Sequence, residues 1–252
     1  MSLVLLFGII FSTSFILTMV GLGGGGLVFS PLFVTLNFPV STAVSASLFL
    51  NGITAASAAI VYFRKKMIDI KVGLPLLAGS TLCAPLGAMV TTRINLRIFM
   101  AILALVTFLA GIRMLFSTTL HAESTDISAL RRIAGGGGIG MLIGFTVGLL
   151  GIGGGVFIVP LLIYLLKVPV KTAAATSIFI VVFSSFSGFI GHISIENTDW
   201  NFILTAAIFS FIGGQLGSRI MAEKLRGRTV RRMFGMVLLI FCFKLAQKAV
   251  TL

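Results

Sequence analysis

Charged residues are scarce in this chain, and acidic residues are the scarcest of them. Only 10% of its 252 residues are charged and six are Asp or Glu, whereas soluble domains carry about 25% charged residues. The two cysteines have no CxxC spacing, and neither histidine has a partner at metal-ligand spacing. GxSxG and HExxH motifs are also absent from the sequence. We therefore expect no metal site, no catalytic residues and no enzymatic activity.

Apolar residues make up 58% of the chain and occur in long uninterrupted runs. Runs of this length without a charge are typical of membrane-spanning helices. They cover residues 1–26, 72–92, 98–112, 172–191 and 202–218. The sequence therefore predicts an all-α, multi-pass (polytopic) membrane protein. Its formal charge of +13 does not indicate a nucleic-acid partner, because the basic residues lie between the apolar runs, as they do in membrane proteins generally.

The two halves of the chain repeat one pattern at an offset of 130 residues. The run Gly21-Leu22-Gly23-Gly24-Gly25 corresponds to Gly151-Ile152-Gly153-Gly154-Gly155, and Pro39–Ala43 corresponds to Pro169–Ala173. Such self-similarity indicates an internal duplication. We divide the chain into an N-terminal repeat (1–120), a cytoplasmic linker (121–132) and a C-terminal repeat (133–252), each repeat with about five apolar segments.

The second apolar segment of each repeat is short. Segments 26–37 and 156–166 follow the glycine runs, and as helices they would reach only about 18 Å of the ~30 Å hydrocarbon core. We therefore predict short half-helices, broken or re-entrant, after each glycine run. Whether they span the membrane fully or re-enter stays open at this point.

The basic residues predict how the two repeats are oriented. If each repeat crosses the membrane an odd number of times, 15 of the 19 basic residues face the cytoplasm, and only Arg93, Arg97, Lys244 and Lys248 lie outside. If each repeat crosses four times, the cluster at 219–232 moves outside and the bias disappears. The positive-inside rule favours odd crossings, which make the repeats inverted and leave both termini outside.

The glycine runs are the candidate binding site. Within a membrane, irregular backbone is tolerated only where protein or a water-filled cavity satisfies its N–H and C=O groups, and paired helix breaks of this kind hold anionic substrates in secondary transporters. Glycine also lets a ligand approach the backbone closely. The predicted anion cradles are formed by Gly23, Gly24, Gly25, Gly26, Gly153, Gly154 and Gly155. The alternative is close helix packing, which we favour for the glycines near 79 and 213–217.

Polar side chains within the apolar segments are the remaining candidates. Ser45, Ser47, Thr176 and Ser177 lie a turn or more into the helices that follow the half-helices. Their hydroxyl groups could contact a substrate or form hydrogen bonds within the protein. Asn51 and Gln215 carry amides that need partners in lipid, and substrate contact and helix–helix bonding are equally open for them.

Two GxGGG runs with a nearby proline, each followed by a Pro-x-x-x-Ala stretch, resemble the TauE/SafE family of membrane transporters. The matching residues are Gly21–Gly26, Pro31, Pro39–Ala43 and Ala46-Ser47, then Gly151–Gly155, Pro160, Pro169–Ala173 and Ala175–Ser177. The resemblance covers nearly the whole chain, although the first repeat has Ala-Ser where the second has Ala-Thr-Ser. It implies movement of sulfite, a sulfonate such as sulfoacetate, or a related sulfur anion across the bacterial cytoplasmic membrane.

Together these observations predict a secondary transporter that binds a small sulfur anion between two inverted glycine-rich breaks. A passive anion channel that uses the same site is the alternative. We expect no cofactor, and the coupling ion, H⁺ or Na⁺, stays open. The expected partners are the anionic substrate and the lipid bilayer, without nucleic acid. The oligomeric state is also open, with a homodimer as one option.

The predicted orientation can be tested with topology reporters fused after Lys66, Asn197 and Arg232. We expect the reporters at Lys66 and Arg232 to be cytoplasmic and the reporter at Asn197 to be external, because the first two lie in basic stretches and the third in an acidic one. Opposite locations for the Lys66 and Arg232 reporters would show that each repeat crosses an even number of times.

Overall fold

The architecture is described from a computed structural model. It describes residues 3–22, 28–29, 32–33, 38, 40–90, 96–116, 137–138, 140–143, 145, 155–191 and 200–251. The regular structure in these ranges is helical throughout, which agrees with the all-α prediction. The eight helices bounded there are α1 (Leu3–Val20), α2 (Val40–Arg64), α3 (Ile70–Val90), α4 (Leu96–Phe116), α5 (Gly155–Tyr164), α6 (Val170–Gly191), α7 (Trp200–Glu223) and α8 (Gly227–Thr251).

Seven of these helices begin and end within two residues of the apolar segments expected from the sequence, which are 3–20, 42–63, 72–92, 97–116, 156–166, 172–192 and 200–221. The exception is α8, whose apolar run begins near residue 233 but whose first helical residue is Gly227. The amide N–H groups of Thr229 and Val230 both donate to the carbonyl of Arg226, which starts the helix early. Arginine is a good helix former, and its long side chain can extend to the membrane surface, so the basic stretch continues the helix.

Three of the described helices contain stretches long and apolar enough to cross a bilayer, namely Ser45–Arg64, Val170–Ser187 and Trp200–Glu223. Shorter apolar stretches occur at Leu5–Val20, Ile70–Cys83 and Thr107–Phe116. Large apolar side chains are exposed on the outer surface, for example Leu82 and Ile190. In water such a surface would be unfavourable, whereas in lipid it is the expected exterior.

The helices pack in pairs whose relative directions follow from their contacts. α4 runs antiparallel to α8, because the Cys242 thiol donates to the Ala104 carbonyl (3.2 Å) while Gly111 meets the Gly235 carbonyl. α2 runs antiparallel to α6, because Asn51 is bonded to Ser185 in the later part of α6, while Asp69, which follows α2, is bonded to Thr176 near the start of α6.

α7 runs parallel to both α1 and α2. Its early residue Phe209 stacks on Phe7 of α1, and its later residue Gly217 meets Phe15 of the same helix. Ser57 of α2 donates to the carbonyl of Phe211 (2.7 Å). α7 therefore lies between α1 and α2 and joins them into one layer of the bundle.

Several loops and helix ends meet at one end of this bundle. Lys65, directly after α2, forms an ion pair with Glu223 at the end of α7 (2.8 Å). The Lys171 ammonium, in the first turn of α6, donates to the carbonyl of Ala222 (2.7 Å). The loop after α2, the start of α6 and the end of α7 consequently lie on the same side of the protein.

Glycines allow the backbones of neighbouring helices to approach closely. A Cβ atom on Gly213 would lie 2.6 Å from the Phe11 carbonyl oxygen, and one on Gly217 would collide with the Phe15 carbonyl and the Thr18 hydroxyl. Gly79 is similarly close to the Gly137 carbonyl (2.6 Å). The packing role expected for these glycines is therefore confirmed, as in small-residue helix crossings of other membrane proteins.

We expect Gly217→Ala to destabilise the protein, because the added methyl group must push α7 away from α1. Overpacking of this kind costs about 1–3 kcal/mol, which corresponds to a fall of roughly 2–12 °C in Tm for a chain of this length. Thermal unfolding of the detergent-purified protein measures the effect. Gly8→Ala is the matched control, since nothing lies within 4 Å of a Cβ at Gly8. An unchanged Tm for Gly217→Ala would contradict the close crossing.

Candidate functional site

The first glycine run begins where α1 ends, at Gly21. Its φ of +91° lies in the left-handed region, which favours glycine. The amides of Gly21 and of the next residue, Leu22, both donate to the Leu17 carbonyl. This is the hydrogen-bond pattern of a helix that is ended by glycine. The predicted cradle residues Gly23, Gly24, Gly25 and Gly26 follow directly and lie outside the described residues.

The second glycine run leads into α5, which begins at Gly155. Gly153 and Gly154 lie outside the described residues. α5 has ten residues and is the described counterpart of the short half-helix expected at 156–166. Its proline, Pro160, lies inside the helix, where the missing N–H removes one hydrogen bond.

The described ends of the two glycine runs lie against each other. A Cβ atom built on Gly155 would be 2.5 Å from the carbonyl oxygen of Leu22, and one on Gly21 would be 2.5 Å from the Cβ of Ala174 in α6. All of these positions are buried. The end of α1 and the start of α5 therefore meet in the interior, although 130 residues separate the two runs in sequence.

Two predicted hydroxyl residues of α6 lie close to this junction. Ser177 is buried, and its hydroxyl donates to the carbonyl of Gly155 (3.4 Å). The buried Thr176 hydroxyl accepts a hydrogen bond from the amide of Asp69 (3.0 Å), so it supports the loop between α2 and α3. Ser177 is thus beside the glycine junction, while Thr176 has a defined structural partner.

The predicted polar residues of α2 and α7 lie at helix interfaces. Asn51 is buried and donates from Nδ2 to the Ser185 hydroxyl of α6 (2.7 Å). Gln215 accepts a hydrogen bond at Oε1 from Ser57 of α2 (3.1 Å). Ser45 and Ser47 are also buried in α2. For Asn51 and Gln215 the structure supplies the helix–helix bonds that were one of the two open interpretations.

A buried cluster of hydroxyl groups at the junction of α1, α2 and α7 was not predicted. Ser14 donates to Ser210 (3.3 Å), and Thr54 lies within hydrogen-bonding distance of both. Thr54 and Ser210 each donate to the Leu50 carbonyl, at 2.8 and 3.2 Å. Single Ser and Thr residues are common in apolar helices and do not by themselves indicate a cluster. This cluster is recognised only because residues from three helices converge, and the sequence does not show that convergence.

The acidic residues in the described ranges form structural hydrogen bonds or ion pairs. Asp69 precedes α3, where its carboxylate accepts a hydrogen bond from the Val72 amide (3.3 Å), and Glu223 pairs with Lys65. Within the described ranges no three His, Cys, Asp or Glu side chains lie close enough together to hold a metal ion.

An open cleft of about 600 Å³ follows the outer face of α1 as far as Leu17, whose carbonyl accepts the hydrogen bonds that end this helix. Aliphatic residues such as Leu5, Ile16 and Val28 line most of it. Its threonine, Thr13, already donates to the Ile9 carbonyl (2.6 Å). Because the cleft has so few polar groups, it suits lipid chains better than an anion.

We expect Ser185→Ala to lower Tm by about 2–4 °C, because it removes the partner of a buried amide, and one such bond is worth roughly 1 kcal/mol. Ser187→Ala, an exposed serine two residues further along α6, is the matched control. The measurement is thermal unfolding in detergent. If Asn51 serves only packing, the KM for transport stays unchanged in Ser185→Ala. A raised KM with an unchanged Tm would instead indicate substrate contact.

Comparisons with known proteins agree with this architecture. Residues 6–245 match the family described as "Sulfite exporter TauE/SafE". The chain is 28% identical to "Probable membrane transporter protein YunE" of Bacillus subtilis (strain 168), over 92% of this chain and 93% of that protein. It is 24% identical to "Probable membrane transporter protein YdhB" of the same organism, over 84% and 87%. A "Probable membrane transporter protein" of Xylella fastidiosa (strain 9a5c) is 27% identical, over 86% and 85%. No solved structure matches the chain.

Proposed function

The chain belongs to the sulfite exporter TauE/SafE family of membrane transporters, and on this basis we propose that it is a secondary transporter of a small sulfur anion. The substrate class is sulfite or a sulfonate such as sulfoacetate. The anion binds between the two glycine-rich helix breaks, within the cytoplasmic membrane of a bacterium. The family description and the transporter names of its relatives support the general activity, and the glycine junction supports the location of the site.

The contact between Leu22 and Gly155 is the observation that carries this proposal. In hydrocarbon, two interrupted helices can meet only where their free N–H and C=O groups find partners, or where they face water or a ligand. The residues that follow Leu22 and precede Gly155 are glycines in both runs. Backbone N–H groups at the positive start of α5 would attract a negatively charged sulfur oxyanion.

The packing of equivalent helices supports inverted repeats. At the offset of 130 residues, α2 corresponds to α6 and α4 corresponds to α8. Each of these four helices packs against its own counterpart, and both pairs are antiparallel. This arrangement is expected when a twofold axis in the membrane plane relates the two halves.

The ion pair between Lys65 and Glu223 supports odd crossings in particular. The basic stretches after α2 and around the end of α7 were both expected in the cytoplasm, and these residues lie at one end of the bundle. With even crossings they would lie at opposite ends. In the proposed orientation most of the basic residues face the cytoplasm.

Substrate recognition in this proposal rests on neutral donors. The Ser177 hydroxyl donates to the Gly155 carbonyl at the described junction, and α5 carries no charged residue. A site without a fixed cation binds an anion moderately and releases it readily, which suits a transporter. The coupling ion, H⁺ or Na⁺, is to be found by imposing each gradient separately.

We expect Gly155→Ala to reduce sulfite or sulfoacetate flux by about tenfold or more, because its methyl group would displace the Leu22 carbonyl from the junction. Flux is measured in reconstituted vesicles, with protein content matched. Gly227→Ala is the control, since Gly227 also begins a helix but has nothing within 4 Å of its Cβ position.

The same vesicles distinguish a carrier from a channel. A carrier shows saturable flux, counterflow of labelled anion, and dependence on an imposed Na⁺ or H⁺ gradient. Flux that is unaffected by either gradient and shows no counterflow would support a passive channel. Normal flux in Gly155→Ala would show that the glycine junction is not part of the transport site.

A further inference from the structure

The later part of helix α4, where the structure describes most side chains, turns an apolar face outward that also carries Arg113. Leu105, Leu109 and Phe116 are exposed, Phe116 by 77%. Arg113 is exposed as well, and it lies one turn after Leu109 and one turn before Phe116, hence on the same face. This face points away from the bundle, and Arg113 lies near the end of the helix, with Phe116 one turn beyond it.

Helix α8, the antiparallel neighbour of α4, repeats this arrangement. Met236, Ile240 and Phe243 are exposed at one-turn intervals, Phe243 by 70%. Arg232 is exposed one turn before Met236. Because the two helices are antiparallel, Arg232 near the start of α8 and Arg113 near the end of α4 lie at the same end of the combined surface.

The Arg113 side chain is held in place by an aromatic ring. Its guanidinium carbon lies 4.7 Å from the ring centroid of Tyr164, the last residue of α5. Arg231 is only 6% exposed and interacts electrostatically with the same tyrosine. Within the described part of the chain, the buried Tyr164 hydroxyl has no hydrogen-bond partner. Positive charge is therefore concentrated where the two apolar faces end, and α4 and α8 contain no acidic residue.

We propose that this surface binds an anionic phospholipid. The phosphate group is bound by Arg113 and Arg232, and the acyl chains lie along the exposed residues of α4 and α8. Basic sites at helix ends on the cytoplasmic side of membrane proteins recognise anionic headgroups in this way, and guanidinium groups fit phosphate well. The proposal requires membrane insertion and does not depend on the transported substrate.

Charge and shape favour a lipid over the other possible occupants. A free oxyanion would use the arginines but would leave the apolar faces without a role. A second copy of the chain, related by a twofold axis along the membrane normal, would bring the arginines of both copies together on the same side of the membrane. Like charges that meet at an interface oppose association, and α4 and α8 themselves carry no acidic residue to offset them.

Native mass spectrometry of the detergent-purified protein tests the proposal. Phosphatidylglycerol or phosphatidylcholine is titrated into the parent protein and into the Arg113→Gln/Arg232→Gln double variant. We expect the parent to prefer phosphatidylglycerol, and the double variant to bind its first phosphatidylglycerol about tenfold more weakly. Phosphatidylcholine binding should not change. The control is Arg64→Gln/Arg219→Gln, which removes two exposed arginines from α2 and α7.

Three results would overturn the proposal. The first is equal binding of phosphatidylglycerol by the double variant and the parent. The second is displacement of the lipid by excess inorganic phosphate, which would indicate a free-anion site. The third is disulfide cross-linking of Leu109→Cys between copies in membranes, above the background of the parent, which would show that the face is an oligomer interface. A Tm of the double variant equal to that of the control pair verifies that both are folded.

Discussion

The need to satisfy every polar group without water governs this structure. In hydrocarbon an unpaired N–H, C=O or hydroxyl group costs several kcal/mol, so the chain forms helices and returns its hydroxyls to the backbone. Thr54 and Ser210 both donate to the Leu50 carbonyl, and the Tyr62 hydroxyl donates to the Thr18 carbonyl. These bonds also join α1, α2 and α7, so that satisfying the polar groups and assembling the bundle are one process. Close crossings at glycines such as Gly213 bring the donors near enough to their acceptors.

The same requirement applies where helices end inside the protein, because the N–H and C=O groups at helix ends also need partners. α1 ends at Gly21, and α5 begins at Gly155, directly beside the carbonyl of Leu22. Backbone groups released at such ends are available to a ligand. In the proposed function, such neutral backbone groups bind the anion. Ser177, which donates to Gly155, is the described side chain best placed to contribute.

Charge is distributed according to the same principle on a larger scale. The pair of Lys65 and Glu223 and the bond from Lys171 to Ala222 tie loops together at one end of the bundle. Arg113, stacked on Tyr164, lies at the end of an exposed apolar face, where a headgroup region would begin. In the proposed orientation most of the basic residues face the cytoplasm, and those on α4 and α8 bind the headgroup of the proposed lipid.

The sequence by itself determined the helical class, the approximate bounds of most of the described helices, and the repeated glycine pattern, because apolar length and local backbone preference are properties of short segments. It did not determine the early start of α8, since the arginines after Gly227 are polar by composition yet helical in context. It also left open whether Asn51 and Gln215 face a substrate or another helix. Only the tertiary structure decided that they bond to Ser185 and Ser57, that Ser14, Thr54 and Ser210 converge, and that Leu22 meets Gly155. Those contacts join residues from 40 to more than 190 positions apart in the chain. Contacts between residues so far apart depend on how the helices pack, which a local sequence pattern does not predict.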